Sequence, residues 1–502
     1  DTLGNTIQNS RNVSVNGQLN FVQLYNKIPY LRKLNQNSSR RNQVVGRRPQ
    51  QPVRPNQEEE KDSTENDKKK FKFPIGDHFL RLLMSIRNVS FTFSTNDGLL
   101  LPGYAPGTQY LGMNNFDSPG FGFIAGQQNT DLFGRETGRN YAFEAAANGW
   151  LIDSTYSRYI NAQYTINHNQ TFNARGTIEP FKGLRIDLTM DRQETRNNTS
   201  NFRWSTTEGD YTAQNEMMTG MLSYSTVAWQ TSFEQIDNVT YNAPSFDRLK
   251  DARAEVSAIL SGDNPNSNGT TGAEAGYYDG YGSGQQDVVV GAFLAAYTGR
   301  NPNDRNISPF NAIPLPNWRV TFDALNQIGK SKPQNERLIQ SFSITHGYRS
   351  NVALSNYTTN LQAQTDADGN VTSRDVSDNF ISTIQYTGLN LIEQFSPLIG
   401  LDATWNIKNK GDASGLITKF ELKKDRNISL SLTNNQITEI RGLEIVIGSG
   451  YRFNKVPLPF KIAGKEIESD LNLRVDVSIR SNRTITRKII EDQNQITAGQ
   501  QL

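Results

Sequence analysis

In the stretch "LNLRVDVSIRSNRTITRKI", residues 471–489, Leu471, Leu473, Val475, Val477 and Ile479 take every second place. Asn472, Arg474, Asp476, Ser478 and Arg480 fill the places between. Side chains of a strand point alternately to its two faces, so this pattern predicts a strand with one apolar and one charged face. The same period recurs along the chain. Leu184, Ile186, Leu188 and Met190 alternate with Arg185, Asp187, Thr189 and Asp191. Ile399, Leu401, Ala403, Trp405 and Ile407 alternate with Gly400, Asp402, Thr404 and Asn406. Ile428, Leu430 and Leu432 face away from Ser429, Ser431 and Thr433. Leu443, Ile445 and Ile447 share a face with Tyr451 and Phe453, and shorter alternations run through Tyr164–Ile166, Phe172–Ala174 and Val89–Phe93. Period two with β-branched and aromatic residues predicts about ten strands, joined mostly as antiparallel hairpins. Turns are predicted at Pro180–Gly183, at 433–436 and at 408–415, where Asn and Gly supply positive-φ positions.

Other stretches depart from this period. Residues 35–70 are a charged low-complexity run, predicted to be a disordered linker or contact arm. Residues 97–150 read as a Gly- and Pro-rich loop ending in a short helix around Tyr141 to Ala147. Residues 245–330 carry helical spacing in three places: 246–262, 286–299, and 317–329. In the last of these, Trp318, Phe322, Leu325 and Ile328 recur at helical intervals between an N-capping Asn317 and Gly329. The expected organisation is therefore all-β with a helical insertion. Residues 1–34 form a first strand region, 35–70 the linker, 71–244 strands with the loop 97–150, 245–330 the insertion and 331–502 further strands. The insertion either packs on itself or on the sheet, or serves as a plug, gate or docking site.

The alternation raises the question of which face is wet. In a soluble sheet the apolar face is a core; in an outer-membrane barrel it meets lipid and the polar face lines a lumen. From Leu471 to Ile479 the apolar run is nine residues long, and the same face continues through Ser481 and Arg483 to Arg487. A tilted membrane strand needs about 9–11 residues, whereas soluble strands average about 5–6. In the barrel reading, Leu443, Ile445, Ile447, Leu471, Leu473, Val475, Val477 and Ile479 face lipid. Arg185, Asp187, Asp402, Arg474, Asp476 and Arg480 then face the lumen, and Trp405, Tyr451 and Phe453 are interfacial aromatics. Periodicity alone does not choose between the two readings.

Composition narrows the choice. Only 35% of residues are hydrophobic, which makes a thin core for 502 residues but suits a barrel whose strands are half polar. The net charge of +2 gives no basic excess for nucleic acid. Cysteine is absent, which excludes disulfides and thiolate metal sites and fits an envelope protein. No apolar run approaches a spanning helix. The start at Asp1, with no apolar signal core, suits a mature form or a piece of something longer.

Catalytic chemistry is not apparent. His78, His168 and His346 lie far apart in no ligand pattern. "DADGN" at 366–370 lacks the later ligands of a calcium loop and reads as a hairpin turn. The Gly-rich stretches 120–126 and 280–285 lack the context of a nucleotide-binding loop, and there is no nucleophile elbow. Asp187 and Asp191 share a strand face without further chemistry. The expectation is a non-enzyme without a cofactor.

Several stretches resemble the SprA (Sov) family of outer-membrane proteins. They are "VNGQLNFVQLYNKIPYLRKLN" (15–35), "RLLMSIRNVSFTFSTNDGLLLPGY" (81–104), "PGFGFIAGQ" (119–127), "FSPLIGLDATWN" (395–406), "FELKKDRNISLSLTNNQITEIRGLEIVIGSGYRF" (420–453) and "LRVDVSIRSNRTITRKIIEDQNQITAGQ" (473–500). They run in order over nearly the whole chain. The resemblance implies the translocon of the type IX secretion system of Bacteroidota, which is linked to gliding motility. That translocon is a very large single-chain transmembrane β-barrel of the cell outer membrane. Folded cargo proteins with a C-terminal signal pass through its aqueous lumen. Implied partners are a PorV-type β-barrel at a lateral opening, a plug protein, the lipid bilayer and the remainder of the same barrel chain. About ten strands cannot enclose such a pore, so a C-terminal-region segment of the barrel is expected. The rival from another class is a soluble β-rich cell-surface adhesin or binding module. A TonB-dependent-type transporter would need a globular plug and a TonB box, and neither is found.

Overall fold

The computed structural model describes residues 3–29, 31–32, 84–302, 308–323, 339–406, 415–462, 465–490 and 494–501. The predicted linker 35–70, His78 and most of the predicted turn 408–415 lie outside these residues. Among the described residues twelve strands form one sheet. They are β1 (Asn5–Asn20), β2 (Ile86–Tyr104), β3 (Tyr164–Phe181), β4 (Leu184–Ser205), β5 (Asp210–Ser225), β6 (Asn317–Phe322), β7 (Ile339–Thr359), β8 (Ile384–Asn406), β9 (Gly415–Ser431), β10 (Gln436–Ile462), β11 (Lys465–Lys488) and β12 (Asn494–Gln501). Every pairing is antiparallel. The order follows the chain from β1 to β12, with one detour: β6 pairs with β4 and β7 beside β5. Among the described residues β1 and β12 are the two outer strands.

Three sequence expectations are corrected. Asn317–Phe322 is a strand, not the start of a helix. Trp318, Val320 and Phe322 alternate with Arg319 and Thr321, so a short run satisfies both periods, and pairing with β4 and β7 decides. Asn317 is not an N-cap: its Oδ1 accepts from the Ser350 amide at 2.7 Å. The predicted helical residues 324–329 lie outside the described residues. The expected loop at 97–150 begins later, because β2 runs through Asn96 to Tyr104 in unbroken register with β3 as far as Leu100. The expected count of about ten strands becomes twelve among the described residues. β6 is one that the sequence had assigned to a helix, and β5 is a mixed-polarity strand whose alternation is weak in sequence.

Helices lie between the strands: α1 (Phe21–Lys27), α2 (Phe121–Ile124), α3 (Tyr141–Ala147), α4 (Ser154–Ser157), α5 (Trp229–Ser232), α6 (Pro244–Asp263) and α7 (Gln286–Thr298). Helix α7 is apolar all round and buried from Val288 to Tyr297, as a helix enclosed on every side must be. It starts where the Gln285 side chain accepts from the Val288 amide and stops at Gly299, whose φ of 69° is left-handed. With α6 it closes a core against Leu222, Tyr224, Val352, Leu389, Ile428 and Ile437 of the sheet. A smaller core joins α2 and α3 to Leu99, Leu101, Tyr164 and Phe202. These two coverings, residues 105–163 and 226–316, are what place the charged groups described below.

A third contact ties residues 364–380 to the larger covering. "DADGN" is a turn closed by the Thr365–Val371 bridge, with Asp366 Oδ1 accepting from the Asp368 and Asn370 amides. Beyond it Arg374 grips Asp279 through two bonds of 2.7 and 2.8 Å, the two-pronged geometry that makes such pairs strong. Hydrogen bonding from Arg374 holds the Asp279 carboxyl down at about 2. A carboxylate depressed in the folded state stabilises above its unfolded value of about 3.9 and loses that contribution as pH falls through the folded one. Protection of the Phe380 amide, which donates to Gly280 O, is therefore expected to be constant above about pH 4 and to fall between about pH 4 and 2. Hydrogen exchange over that range checks this, with Arg374→Gln expected to abolish the dependence.

Candidate functional site

Register fixes which side chains share a face. Across β8, β9, β10 and β11 one row reads Leu401, Phe420, Ile447 and Val477, and another reads Ile399, Leu422, Ile445 and Ile479. Across β4, β6 and β7 the same face carries Ile186, Val320 and His346, then Leu184, Phe322 and Ile344. On β1 and β2 it carries Val15 and Phe93, then Leu19 and Val89. The result is an apolar belt across the sheet. All eight residues predicted to face lipid lie on it: Leu443, Ile445, Ile447, Leu471, Leu473, Val475, Val477 and Ile479, with exposures from 38% to 69%. Trp405, Tyr451 and Phe453 are on the same face. Trp405 Nε1 donates to Thr418 Oγ1 at 2.8 Å, and the Tyr451 and Phe453 rings lie 4.6 Å apart.

The opposite face is charged. Arg185, Asp187, Asp402, Arg474, Asp476 and Arg480 all lie there. Arg185 pairs with Asp187 at 2.9 Å and Arg474 with Asp476 at 2.8 Å. Arg480 reaches Asp425 at 2.9 Å and Glu444 at 3.5 Å, and Lys423 also reaches Glu444 at 3.3 Å. Asp402 stands in register between Ser343 and Lys419. These pairs are water-accessible and individually contribute little. Their effect is a wet surface with both signs interleaved.

Beyond the belt the apolar-side face changes character. One row reads Glu393, Arg426, Arg441 and Arg483; the next two contain Glu439 and Arg487. Arg426, Glu439 and Arg487 have fully buried side chains, and Glu393 nearly so. Arg426 Nε donates to Glu393 Oε2 at 3.0 Å, and Arg487 Nη1 and Arg441 Nε each donate to Glu439 at 2.6 Å. The Tyr348 hydroxyl donates to Glu393 at 2.7 Å. Buried charge is tolerable when paired and hydrogen-bonded, and the larger covering adds backbone acceptors to the ion pairs. Thr231 O accepts from Arg426 at 2.9 Å, Ser232 O from Lys424 at 2.7 Å, Glu234 O from Arg441 at 2.7 Å and Tyr241 O from Arg487 at 3.1 Å. Residues 228–241 are thus a strap fastened across β9, β10 and β11.

The smaller covering is fastened the same way. Arg11 Nη2 donates to Asp97 at 2.7 Å and to the carbonyls of Thr130 and Asp131 at 3.1 and 3.0 Å. His168 Nδ1 contacts the other Asp97 oxygen at 2.6 Å, and Arg196 donates to Gly134 O. Of these buried groups the sequence pattern marked Arg487, where the apolar face of 471–479 gives way, and His168, as a histidine in no ligand pattern; the others were not singled out. The available signal was parity: Glu439 and Arg441 share it with Leu443, and Arg426 with Ile428. Charges on the apolar parity of a strand mark where that face stops meeting a nonpolar surround.

Among the described residues no cluster of His, Cys, Asp or Glu could hold a metal ion, and no helix is long and apolar enough to cross a membrane. No protein-family model and no curated protein matches the chain.

Proposed function

We propose that this chain is a segment of an outer-membrane β-barrel that conducts folded proteins through an aqueous lumen, as its resemblance to the SprA-type translocon implies. The observation that carries the reading is the belt. An apolar surface spans the sheet, is uncovered among the described residues, and lies back to back with a charged face. Water-facing surfaces rarely carry so large a continuous apolar patch. Along β10 the belt runs from Leu443 to Phe453 and along β11 from Leu471 to Ile479, close to the 9–11 residues that suit a tilted membrane strand. The charged face then wets the lumen. β1 and β12 pair with further strands of the same barrel, since an unpaired edge is costly in lipid. The coverings bury their cores on the lipid-side face, so they hood the wall beyond the bilayer and leave the lumen open. Conduction, the PorV-type partner, the plug and the cargo rest on the resemblance.

Cysteine labelling of the intact protein in bilayers tests the reading. Arg474→Cys is expected to react with a membrane-impermeant maleimide and Val475→Cys only with a lipid-soluble one. Equal reaction of both with the aqueous reagent, in protein that stays in solution without detergent, would favour the adhesin.

A further inference from the structure

The two coverings are unrelated in sequence, yet each ends at the belt in the same way. In the smaller one, Phe133 is 60% exposed and its ring lies 5.5 Å from Phe93, a residue in the first row of the belt beside Val15. The Arg135 guanidinium stands over that ring at 5.3 Å, with its own side chain 74% exposed. In the larger one, Phe233 is 48% exposed and packs 5.2 Å from Phe395. Phe395 shares its row with Lys424 and Leu443, where the belt begins on β10. Lys424 Nζ stands over the Phe233 ring at 4.0 Å.

The backbone beside each ring is tied down. Asp131 Oδ1 accepts from the Phe133 and Arg135 amides at 2.8 and 2.9 Å. Gly134 is seated so closely that a Cβ would stand 2.6 Å from His168 Nε2 and Arg196 Nη2. Phe233 follows Ser232, whose carbonyl takes Lys424 and whose hydroxyl donates to Glu393 at 2.5 Å. A half-exposed phenyl ring against water gains little. A ring at the edge of an apolar belt with a cation beside it matches the layer where acyl chains meet phosphates. There the ring is partly withdrawn from water and the cation faces anionic headgroups.

We infer that Phe133 with Arg135 and Phe233 with Lys424 are bilayer contacts made by the coverings themselves, which seat both on the headgroup layer of the adjoining leaflet. This rests on the belt facing lipid. The partner is the lipid interface, since both rings continue the belt and lie within about two residue rises, about 7 Å, of its first row.

Nitroxide labels on the intact protein in bilayers test it. The 502 residues contain no cysteine, so single labels at Phe133→Cys and Phe233→Cys need removal only of cysteines outside them. The ratio of collisions with oxygen to collisions with a water-soluble nickel chelate reports depth. Val475→Cys serves as the belt reference, and Val376→Cys, at a fully exposed side chain, as the water reference. The ratio at 133 and 233 is expected to be several-fold above that at 376 and below that at 475. Arg135→Cys repeats the measurement without removing a buried contact and is expected to fall between 376 and 133. Water-like ratios at 133, 135 and 233 with a lipid-like ratio at 475 would overturn this inference alone. A water-like ratio at 475 would overturn the membrane reading and this inference with it.

Discussion

Arg426→Ala is expected to destabilise the covered end of the sheet by about 3–5 kcal/mol, the usual consequence of removing one partner of a buried ion pair. The residue is central to its surroundings. Its guanidinium pairs with Glu393, stands 3.9 Å from Glu439 and donates to Thr231 O and Thr231 Oγ1. Truncation strands the Glu393 carboxylate, leaving Ser232, Tyr348 and no cation among the bonds described for it. It also frees the carbonyl that pins the strap. The damage should be local: residues 228–241 become accessible to protease while the β4–β6 pairing stays protected. Limited proteolysis of the intact protein, with thermal midpoints, checks this. The double variant Arg426→Met with Glu393→Gln should be milder than Arg426→Ala, because both charges leave together. A single variant within about 0.5 kcal/mol of wild type would show the ion pair to be superfluous.

Val477→Arg is expected to cost about 2–4 kcal/mol in a bilayer, the range found for a basic residue on the lipid face of a barrel near the midplane. Val477 lies opposite Ile447 on β10 and is 60% exposed. Its neighbour Ser478 points to the charged face, so Ser478→Arg should be near neutral. In a water-soluble sheet both substitutions would place a cation in solvent, and both would fall within about 0.5 kcal/mol. The difference between the two variants decides between lipid and water. It can be read from the temperature at which the intact protein loses its folded electrophoretic mobility.

Alternation made most of the sheet legible. Long runs such as 471–479 repeat the period often enough to fix strand type, and the parity of Arg474 and Val475 assigns opposite faces without any structure. Asn317–Phe322 was not legible, because six residues cannot separate a period of 2 from one of 3.6 and the sheet decided. The coverings' location was not legible either. An apolar helix such as α7 announces that it must be enclosed, but nothing in its sequence names the face of the sheet that encloses it. The buried charges were legible only as exceptions. Glu439 looks like an ordinary polar residue until its parity with Leu443 is followed, and its full burial then depends on chain about 200 residues upstream.

The chain leaves the sheet and rejoins it at nearly one point. Ser225 exchanges backbone and side-chain bonds with Leu315, at 2.9 and 2.8 Å, and β6 then takes up the edge of β4 that β5 had occupied. Geometrically the larger hood is a cassette on a narrow stalk, free to change length without disturbing the ladder on either side. Chemically it is not detachable. A sheet stripped of it would present Glu393, Arg426, Glu439 and Arg487, together with the leucines around them, to a surround that satisfies neither kind of group, so sheet and hood have to be made and retained together.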